Sequence, residues 1–378
     1  MEKEYTSILQ DFAAEYVSAS PLGTGNNYFL EGEFSLCGKM YYPLTVGGTL
    51  PFRFLFQNRE DTTFADGEVG WADRIGGEWE ILEAFVGDGG PQGVPHTETL
   101  VPLTFGGSLQ KKVAPGEVFT SDEITLTVPE GHTLCFLWRV AGRDCPYTPD
   151  KSLTPCFLLQ DGAWIPSTDF PQPVLVGCRR QVKEEITFLG DSITQGLGTT
   201  PGNYAFWVAR IAKALGKNHA IRNLGLGYAR AQDAARDGIW LEKAKTSSTV
   251  VLCLGTNDIL RSALSPKHKT PEESLVYHLL TIVKALKKAG ARIFLLTVPP
   301  FDWMEEKEQV WRYVNNCLQS TLSDTVDGIL TSADVWGKAA PEDGIGFYRS
   351  VSGDPHPGDA GGKAMAEAIL AKFPTLWQ

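Results

Sequence analysis

The chain has 378 residues, of which 43% are hydrophobic and 21% charged, and its formal net charge at pH 7 is −11. The length allows two domains, and the acidic excess argues against sequence-independent binding to nucleic acid or to an anionic membrane surface. No apolar stretch approaches the ~20 residues of a membrane span. The first residues lack the basic start and apolar core of a secretion signal.

The seven cysteines are scattered along the chain and include no CxxC pair. An odd number without pairing motifs is typical of proteins in a reducing compartment, and it argues against a zinc site built from cysteines. We therefore expect a cytoplasmic protein.

Residues 1 to about 18 predict a short amphipathic helix, because apolar side chains such as Leu9 and Phe12 recur at helical spacing. From there to about residue 180 the sequence is rich in β-branched and aromatic runs, which glycine pairs such as Gly89-Gly90 separate. Short strands of this kind predict an antiparallel β-sandwich in a domain of residues 1–180. The clearest strand candidates are 51–57, 123–128 and 133–140.

Beyond about residue 181, strand-length apolar runs alternate with helix-length segments. This alternation predicts βαβ units and a parallel sheet in a second domain, residues 181–378. Ligands bind at the carboxyl ends of the strands in such sheets, so the loops that follow the strands are where a site is expected. The predicted strands are 185–189, 220–224, 249–254 and 293–298, and the predicted helices are 204–215, 229–245, 272–288, 305–322 and 358–372.

Gly190-Asp191-Ser192 follows the first of these strands. A serine at such a turn has an exposed hydroxyl beside backbone N–H groups, as a nucleophile and its oxyanion require, although Asp and Ser are equally ordinary helix N-caps. The nearby Gly196-Leu197-Gly198 lacks the third glycine of a dinucleotide-binding loop, so no nucleotide site is expected there.

The loops after the second and third strands carry candidate oxyanion donors. The segment from Asn223 to Tyr228 contains two glycines, which allow a close backbone approach but equally a tight turn. In the segment that follows Leu254, the side-chain amide of Asn257 can donate to an oxyanion, or Asn257 or Asp258 can cap a turn.

A serine nucleophile needs a base, and the chain has six histidines. His356 comes just before the last predicted helix, on the ligand side of the sheet, with Asp354 two residues earlier. These neighbours predict His356 as the base. The other histidines lie in the β-rich half, next to a strand, in a lysine-flanked loop or in a helix: His96, His132, His219, His268 and His278.

Taken together and in this order, Gly190-Asp-Ser-Ile, the Asn223/Gly225 segment, Gly255-Thr-Asn-Asp and Asp354-Pro-His-Pro resemble the four sequence blocks of the SGNH (GDSL-type) hydrolases. This resemblance implies a flavodoxin-like α/β/α hydrolase domain. The first half is similar to the jelly-roll-like β-sandwich that precedes this domain in a two-domain bacterial and fungal branch. That similarity rests on segments 52–58, 103–107 and 113–117.

The resemblance implies Ser192 as nucleophile, His356 as general base and then acid, and Asp354 as the group that orients His356. The implied oxyanion donors are the Ser192 N–H, the Asn257 side chain and a backbone N–H of the second block. For that third donor, Tyr228 stands where the family has glycine, and Gly227 is the alternative.

The acid of this family usually stands three residues before the histidine, where this chain has Gly353. Two alternatives follow. Either the loop is shortened and Asp354 still completes a triad, or the site is a Ser–His dyad.

We therefore expect a serine esterase that acts on a small-molecule or carbohydrate ester, with short acyl groups such as O-acetyl favoured. No cofactor or metal is expected, because no His/Cys/Asp cluster has ligand spacing at the strand ends, and no nucleic-acid partner or membrane span is expected. The alternatives are a lysophospholipase or thioesterase, an acyltransferase on the same scaffold, and a carbohydrate-binding protein with a decayed hydrolase domain.

Overall fold

A computed structural model describes residues 5–63, 74–91, 99–149, 153–260, 271–304, 306–337, 345–350 and 352–374. In the N-terminal region (residues 5–178) the elements are α1 (Thr6–Glu15), β1 (Val17–Ser18), β2 (Tyr28–Pro43), β3 (Gly48–Gln57), β4 (Trp79–Pro91), β5 (Thr99–Pro102), β6 (Lys111–Val113), β7 (Val118–Thr120), β8 (Ile124–Val128), β9 (His132–Tyr147), β10 (Cys156–Gln160), β11 (Ala163–Pro166) and β12 (Leu175–Cys178).

The C-terminal region (residues 184–374) alternates strands and helices. Its elements are β13 (Glu184–Gly190), α2 (Ser192–Gln195), α3 (Trp207–Leu215), β14 (His219–Gly225), α4 (Ala231–Ala235), α5 (Ile239–Lys245), β15 (Thr249–Cys253), α6 (Thr256–Leu260), α7 (Pro271–Lys288), β16 (Arg292–Leu296), α8 (Glu306–Leu322), β17 (Gly328–Leu330), α9 (Ala333–Trp336), a 3₁₀ turn (Gly346–Tyr348) and α10 (Asp359–Lys372).

The N-terminal strands form two antiparallel sheets. One has the order β1-β12-β3-β7, with β8 also paired to β3, and the other has the order β11-β10-β2-β9-β4-β5, with β6 paired to β4. Apolar side chains two residues apart on β3 point to one face, where Phe54 packs against Phe136 of β9 and Phe56 against Trp138. The two sheets therefore share an aromatic core, and the expected antiparallel β-sandwich is confirmed.

Gly89-Gly90 was expected to separate two strands, and this expectation was wrong. Both glycines lie inside β4, at an irregularity in its pairing with β9 between Asp88 and Pro91. Gly90 has φ 82° there. Some bulges place one residue at positive φ, which glycine adopts freely, so a glycine pair can mark an irregularity within a strand as readily as a turn.

The C-terminal strands form one parallel sheet with the order β14-β13-β15-β16-β17. Numbered from its own first strand this order is 2-1-3-4-5, as in flavodoxin-like folds. Successive strand residues face opposite layers. Phe188 and Val251 lie in one core with the residues of α3 and α10, whereas Val250 and Leu252 lie in the other with those of α5, α7 and α8. The expected parallel α/β/α arrangement is confirmed.

The predicted helix over 229–245 is two helices, α4 and α5. Asp237 between them has φ 61°, and Gly238 is the N-cap of α5. A left-handed residue cannot continue a helix, so the break is local. The three-residue strand β17 was not predicted, because so short a run carries no clear periodicity.

The two regions are connected through α1. By sequence α1 belongs to the N-terminal region, yet its apolar face, with Leu9 and Phe12, shares a core with Trp240 of α5. Antiparallel pairing ends at Cys178 and parallel pairing begins at Glu184, and we propose that the boundary between domains 1–180 and 181–378 lies in this interval. None of the helices within the described ranges is long and apolar enough to cross a membrane.

Candidate active site

Ser192 lies at the carboxyl end of the central strand β13. It is the first residue of α2, and Asp191 is the N-cap of that helix, with its carboxylate accepting from the Ile193 N–H at 3.0 Å. The sharp strand-to-helix turn leaves the Ser192 side chain buried but in contact with one other loop. The first N–H groups of a helix have no intrahelical acceptor. The Ser192 N–H, as the first of α2, is one of these groups.

The contacting loop is the histidine loop (Ser352–Pro357), which precedes α10. The Ser192 Oγ lies 2.8 Å from His356 Nε2, and His356 Nδ1 lies 2.8 Å from Asp354 Oδ1. The same Asp354 oxygen also accepts from the backbone N–H of His356 at 2.9 Å. Thus an aspartate two residues before the histidine reaches the imidazole across the intervening Pro355.

Asp354 is held ionised by its hydrogen bonds. Partial burial alone would raise its pKa, but donors from Ser352 Oγ and from the backbone and ring of His356 outweigh that effect and lower the pKa to about 2. Asp354 does not cap α10, whose N-cap is Gly358. Its carboxylate is therefore committed to the histidine loop.

Three further contacts position the histidine loop. The Phe301 ring meets the His356 ring edge-on, with centroids 5.2 Å apart. Gly198, at φ 91°, approaches so closely that a Cβ there would lie 2.6 Å from the Cβ of His356, so this glycine serves a close approach. Arg349 forms an ion pair with Asp302 and donates to the Gly353 carbonyl at 2.8 Å.

The β14 loop (Leu226–Arg230) lies beside the carboxyl ends of β13 and β15. Its start is tied to β13 by the Leu226 N–H, which donates to the Gly190 carbonyl at 3.1 Å. Asn257, in the first turn of α6, donates through Nδ2 to the Ala229 carbonyl at 3.0 Å. An amide nitrogen carries two hydrogens. One N–H of Asn257 is thus used to fix the side chain, and its second remains to donate elsewhere.

Tyr228 has φ 62°. This left-handed conformation is one that glycine adopts freely and tyrosine does not. A tyrosine held in it keeps the backbone path that a glycine would take, so a backbone N–H at this position survives the exchange. Gly227, the alternative donor, precedes it in the same loop.

The sequence-predicted residues fall into two groups by contact. Ser192, His356 and Asp354 form one continuous hydrogen-bonded chain. Asn257 joins the β14 loop, which contains Gly227 and Tyr228. Within the described ranges, no three or more His, Cys, Asp or Glu side chains are grouped as metal ligands.

The model of the GDSL-like Lipase/Acylhydrolase family matches residues 188–364. This match covers most of the C-terminal region, and the expected resemblance to the GDSL-type hydrolases is confirmed there. The expectation of an ester-bond hydrolase is confirmed at the level of the family. A comparison with curated proteins gave no match.

Solved structures similar to the chain share about half of it. A lipolytic protein of the G-D-S-L family from Veillonella parvula DSM 2008 is 21% identical, with 50% of this chain and 98% of that chain covered and a TM-score of 0.39. The psychrotrophic esterase EstA from Pseudoalteromonas sp. is 17% identical, with 51% and 98% covered and a TM-score of 0.40. Axe2, an acetylxylan esterase from Geobacillus stearothermophilus, is 18% identical, with 50% and 94% covered and a TM-score of 0.37.

Three buried carboxyl groups lie next to residues of the candidate site or of the β14 loop. Burial raises the pKa of Asp191 to about 7 and that of Asp258 to about 7. Burial also raises the pKa of Asp233 to about 6, although Arg230 opposes the shift. Asp258 Oδ2 accepts from the Ala231 N–H at 2.9 Å, and Asp233 Oδ2 accepts from the Arg230 N–H at 3.0 Å. Two of the three therefore hold the end of the β14 loop.

The remaining histidines lie away from this geometry where they are described. His132 pairs with Asp88 in the sandwich, His219 begins β14 and His278 lies in α7. His96 and His268 lie outside the described residues. Sequence reasoning missed two contacts of the histidine loop. Ser352 could have been found from its position two residues before Asp354, whereas Phe301 carries no local signal.

Proposed function

We propose that the chain is a serine esterase in which Ser192 is the nucleophile, His356 the general base and then acid, and Asp354 the group that orients His356. The observation that carries this proposal is the continuous pair of 2.8 Å contacts from Ser192 Oγ to His356 Nε2 and from His356 Nδ1 to Asp354. A hydroxyl, an imidazole and a carboxylate in this order can activate an alcohol at neutral pH.

In the proposed reaction the Ser192 Oγ attacks the ester carbonyl carbon while its proton passes to His356 Nε2. The resulting imidazolium is stabilised by Asp354, which the low pKa keeps ionised. When the tetrahedral intermediate collapses, the bond to the leaving alcohol breaks and Nε2 returns the proton to that oxygen. A water molecule then repeats the sequence on the acyl-serine, and it releases the acid and the free Ser192.

The negative charge of each tetrahedral intermediate needs donors that are already in position. We assign these donors to the Ser192 N–H, the second Asn257 Nδ2–H and the Tyr228 N–H. Tyr228 is preferred to Gly227 because its left-handed φ of 62° is the conformation that a glycine of the family would supply at the aligned position.

The proposed substrates are esters with short acyl groups, O-acetyl esters first, and a sugar hydroxyl is the proposed leaving alcohol. The acyl-length proposal is supported by Phe301, whose ring packs edge-on against the His356 ring and so occupies space beside the proposed base. The resemblance adds that Tyr228 stands in the β14 loop where the family has glycine, and we expect its larger side chain to narrow the acyl pocket.

One experiment tests the chemistry and the substrate class together. Turnover of 4-nitrophenyl esters from acetate to palmitate, followed by acetylated sugars, should give the highest kcat/KM for acetate and a steady fall with chain length. Ser192→Ala should lower kcat on the best substrate by about 10⁴-fold or more, because it removes the covalent route. A folded Ser192→Ala protein with near wild-type turnover would refute the mechanism, and a maximum at long chains would refute the substrate class.

A further inference from the structure

A buried segment of the N-terminal region crosses the edge of the parallel sheet next to the candidate site. Every residue from Ser18 to Asn27 is buried, although residues 19–27 form neither helix nor strand. The Pro21 carbonyl accepts from Asn223 Nδ2 at 3.1 Å. At Gly25 a Cβ would lie 2.9 Å from the Leu226 side chain. The segment therefore packs directly on β14 and on the start of the β14 loop.

Asn27 ends this segment with a contact to the loop itself. Its Nδ2 donates to the Gly227 carbonyl at 2.8 Å, and its backbone N–H donates to the Tyr147 carbonyl of β9 at 3.0 Å. The Asn27 side chain is fully buried. A buried residue that is bonded to the sandwich thus holds one carbonyl of the β14 loop.

The geometry of the peptide bond gives this contact a chemical consequence. The Gly227 carbonyl and the Tyr228 N–H belong to one planar trans peptide unit, in which they point in opposite directions. An anchor on the carbonyl therefore fixes the direction of the N–H on the other side. Tyr228 needs such an anchor, because a tyrosine in the left-handed conformation, at φ 62°, is strained relative to a relaxed backbone.

A second contact from the N-terminal region holds the other end of the loop. Arg230 donates through Nη2 to Thr63 Oγ1 at 2.7 Å, and the same hydroxyl donates to Asp233 Oδ1 at 3.1 Å. All three side chains are buried. The β14 loop is thus fixed by Asn27 at one end and Thr63 at the other, with Asn257 between them.

We propose that Asn27 is a positioning residue for ester hydrolysis: through the Gly227–Tyr228 peptide it aims the Tyr228 N–H at the oxyanion. This inference rests on the proposed function. It gives the sandwich a part in transition-state stabilisation, although the proposed reacting groups, Ser192, His356 and Asp354, all belong to the C-terminal region.

The test compares Asn27→Ala with a control from the same buried segment. Thr24 Oγ1 donates to the Val174 carbonyl at 2.8 Å, within the N-terminal region, and Thr24 is 5% exposed. Thr24→Val therefore removes a buried hydrogen bond of the same segment without touching the β14 loop. Asn27→Ala should lower kcat by about 10- to 100-fold, less than the ~10²–10³-fold loss of a whole donor, because the N–H remains but is misdirected.

Three further measurements separate positioning from stability. KM should change little in Asn27→Ala, and the affinity for a boronic acid that forms a tetrahedral adduct on serine should fall by the same factor as kcat/KM. Thr24→Val should keep wild-type kcat even where both variants lose similar Tm. Equal kcat in the two variants, whether reduced or unchanged, would overturn the proposal.

Two outcomes need a variant of their own. If Asn27→Ala does not fold, Asn27→Asp, which keeps the shape and lacks the N–H donor, is judged by the same criteria, and failure of both to fold would overturn the proposal by showing a role in folding alone. Ser192→Ala in the same assay separates the two levels of inference. If Ser192→Ala is active, the proposed function is refuted. If Ser192→Ala is inactive and Asn27→Ala has the kcat of the wild type, only the role of Asn27 is refuted.

Discussion

The two regions of the molecule contribute to the candidate site by different routes. In the parallel sheet, Ser192, Tyr228 and Asn257 each come just beyond the carboxyl end of a strand, so the topology alone brings them together. In the sandwich, Asn27 and Thr63 lie in irregular segments and reach the β14 loop by packing. Residues that follow the ends of predicted strands can be located from a sequence pattern. Residues of one region that hold a loop of the other region cannot be located in this way.

The largest expected effect concerns the part of the site that the parallel sheet provides. Asp354→Asn should lower kcat by up to ~10⁴-fold, because an amide that donates to Nδ1 selects the wrong imidazole tautomer. Tm should fall little, since the Asp354 side chain is about half exposed, at 48%. Steady-state kinetics and thermal unfolding of the same preparation check this. A variant with wild-type kcat would show that the enzyme works as a Ser–His dyad.

The next prediction concerns a buried ion pair that connects the two regions. Lys243 Nζ of α5 lies 2.7 Å from Asp61 Oδ1 of the N-terminal region, and both side chains are at most 1% exposed. Burial lowers the pKa of Lys243, and Asp61 opposes that shift. Lys243→Met should reduce the free energy of unfolding by ~3–5 kcal/mol, because it leaves a buried carboxylate without its partner.

Urea denaturation measures this loss against a surface control. Lys363 and Glu367 are 3.8 Å apart on α10 with side chains 63% and 67% exposed, so Lys363→Met should leave the unfolding midpoint unchanged. The double variant Lys243→Met/Asp61→Asn should recover most of the lost stability, because the amide removes the buried charge and its oxygen can still accept from the Asn26 N–H. A Lys243→Met protein as stable as the Lys363→Met control would show that the buried pair does not join the regions.

The sequence predicted the parallel half more completely than the sandwich, and the reason is physical. Ser192, Asn257 and His356 could be found because strand–helix alternation assigns each loop to one edge of the sheet. Asn27 could not be found, because 200 residues separate it from Gly227 and no local periodicity encodes that contact. Gly89-Gly90 failed as a turn signal for a different, local reason. The positive φ of Gly90 serves an irregularity within β4, and glycine would allow the same φ in a turn.

The oxyanion assignment predicts a smaller effect than the loss of Asp354. Asn257→Ala should lower kcat by ~10²–10³-fold and change KM less, because the contact strengthens only as charge develops on the substrate oxygen. It also removes the donor to the Ala229 carbonyl, so its effect should not add fully to that of Asn27→Ala. A rise in KM with kcat unchanged would identify Asn257 as a substrate-binding residue instead.

The last expected effect is a change in how stability depends on pH. The folded-state pKa values of Asp191 and Asp258 are about 7 and that of Asp233 is about 6, against an ordinary 3.8. Between these limits these three groups bind more protons in the folded chain than in the unfolded chain, so their contribution to stability is fully present below about pH 4 and is lost as pH rises towards 7. The lowered pKa values of Asp354, Asp122 and Asp327 act in the opposite direction, mainly below about pH 4.

Asp258→Asn removes one of the three protons and the repulsion that raises the pKa of Asp191, while its amide oxygen can still accept from the Ala231 N–H. The free energy of unfolding should therefore fall less steeply between about pH 4 and about pH 7, by up to ~1.4 kcal/mol per pH unit. The slope of Tm against pH in the same window measures this change. Asp327 provides the matched control, because hydrogen bonds from Lys287 and the Ile293 N–H outweigh its burial and lower its pKa. Asp327→Asn should reduce Tm without changing its slope in this window.

An unchanged slope in Asp258→Asn would mean that its carboxyl is already ionised at pH 4 in the folded protein, and that the β14 loop is held by a charge rather than by a neutral acid.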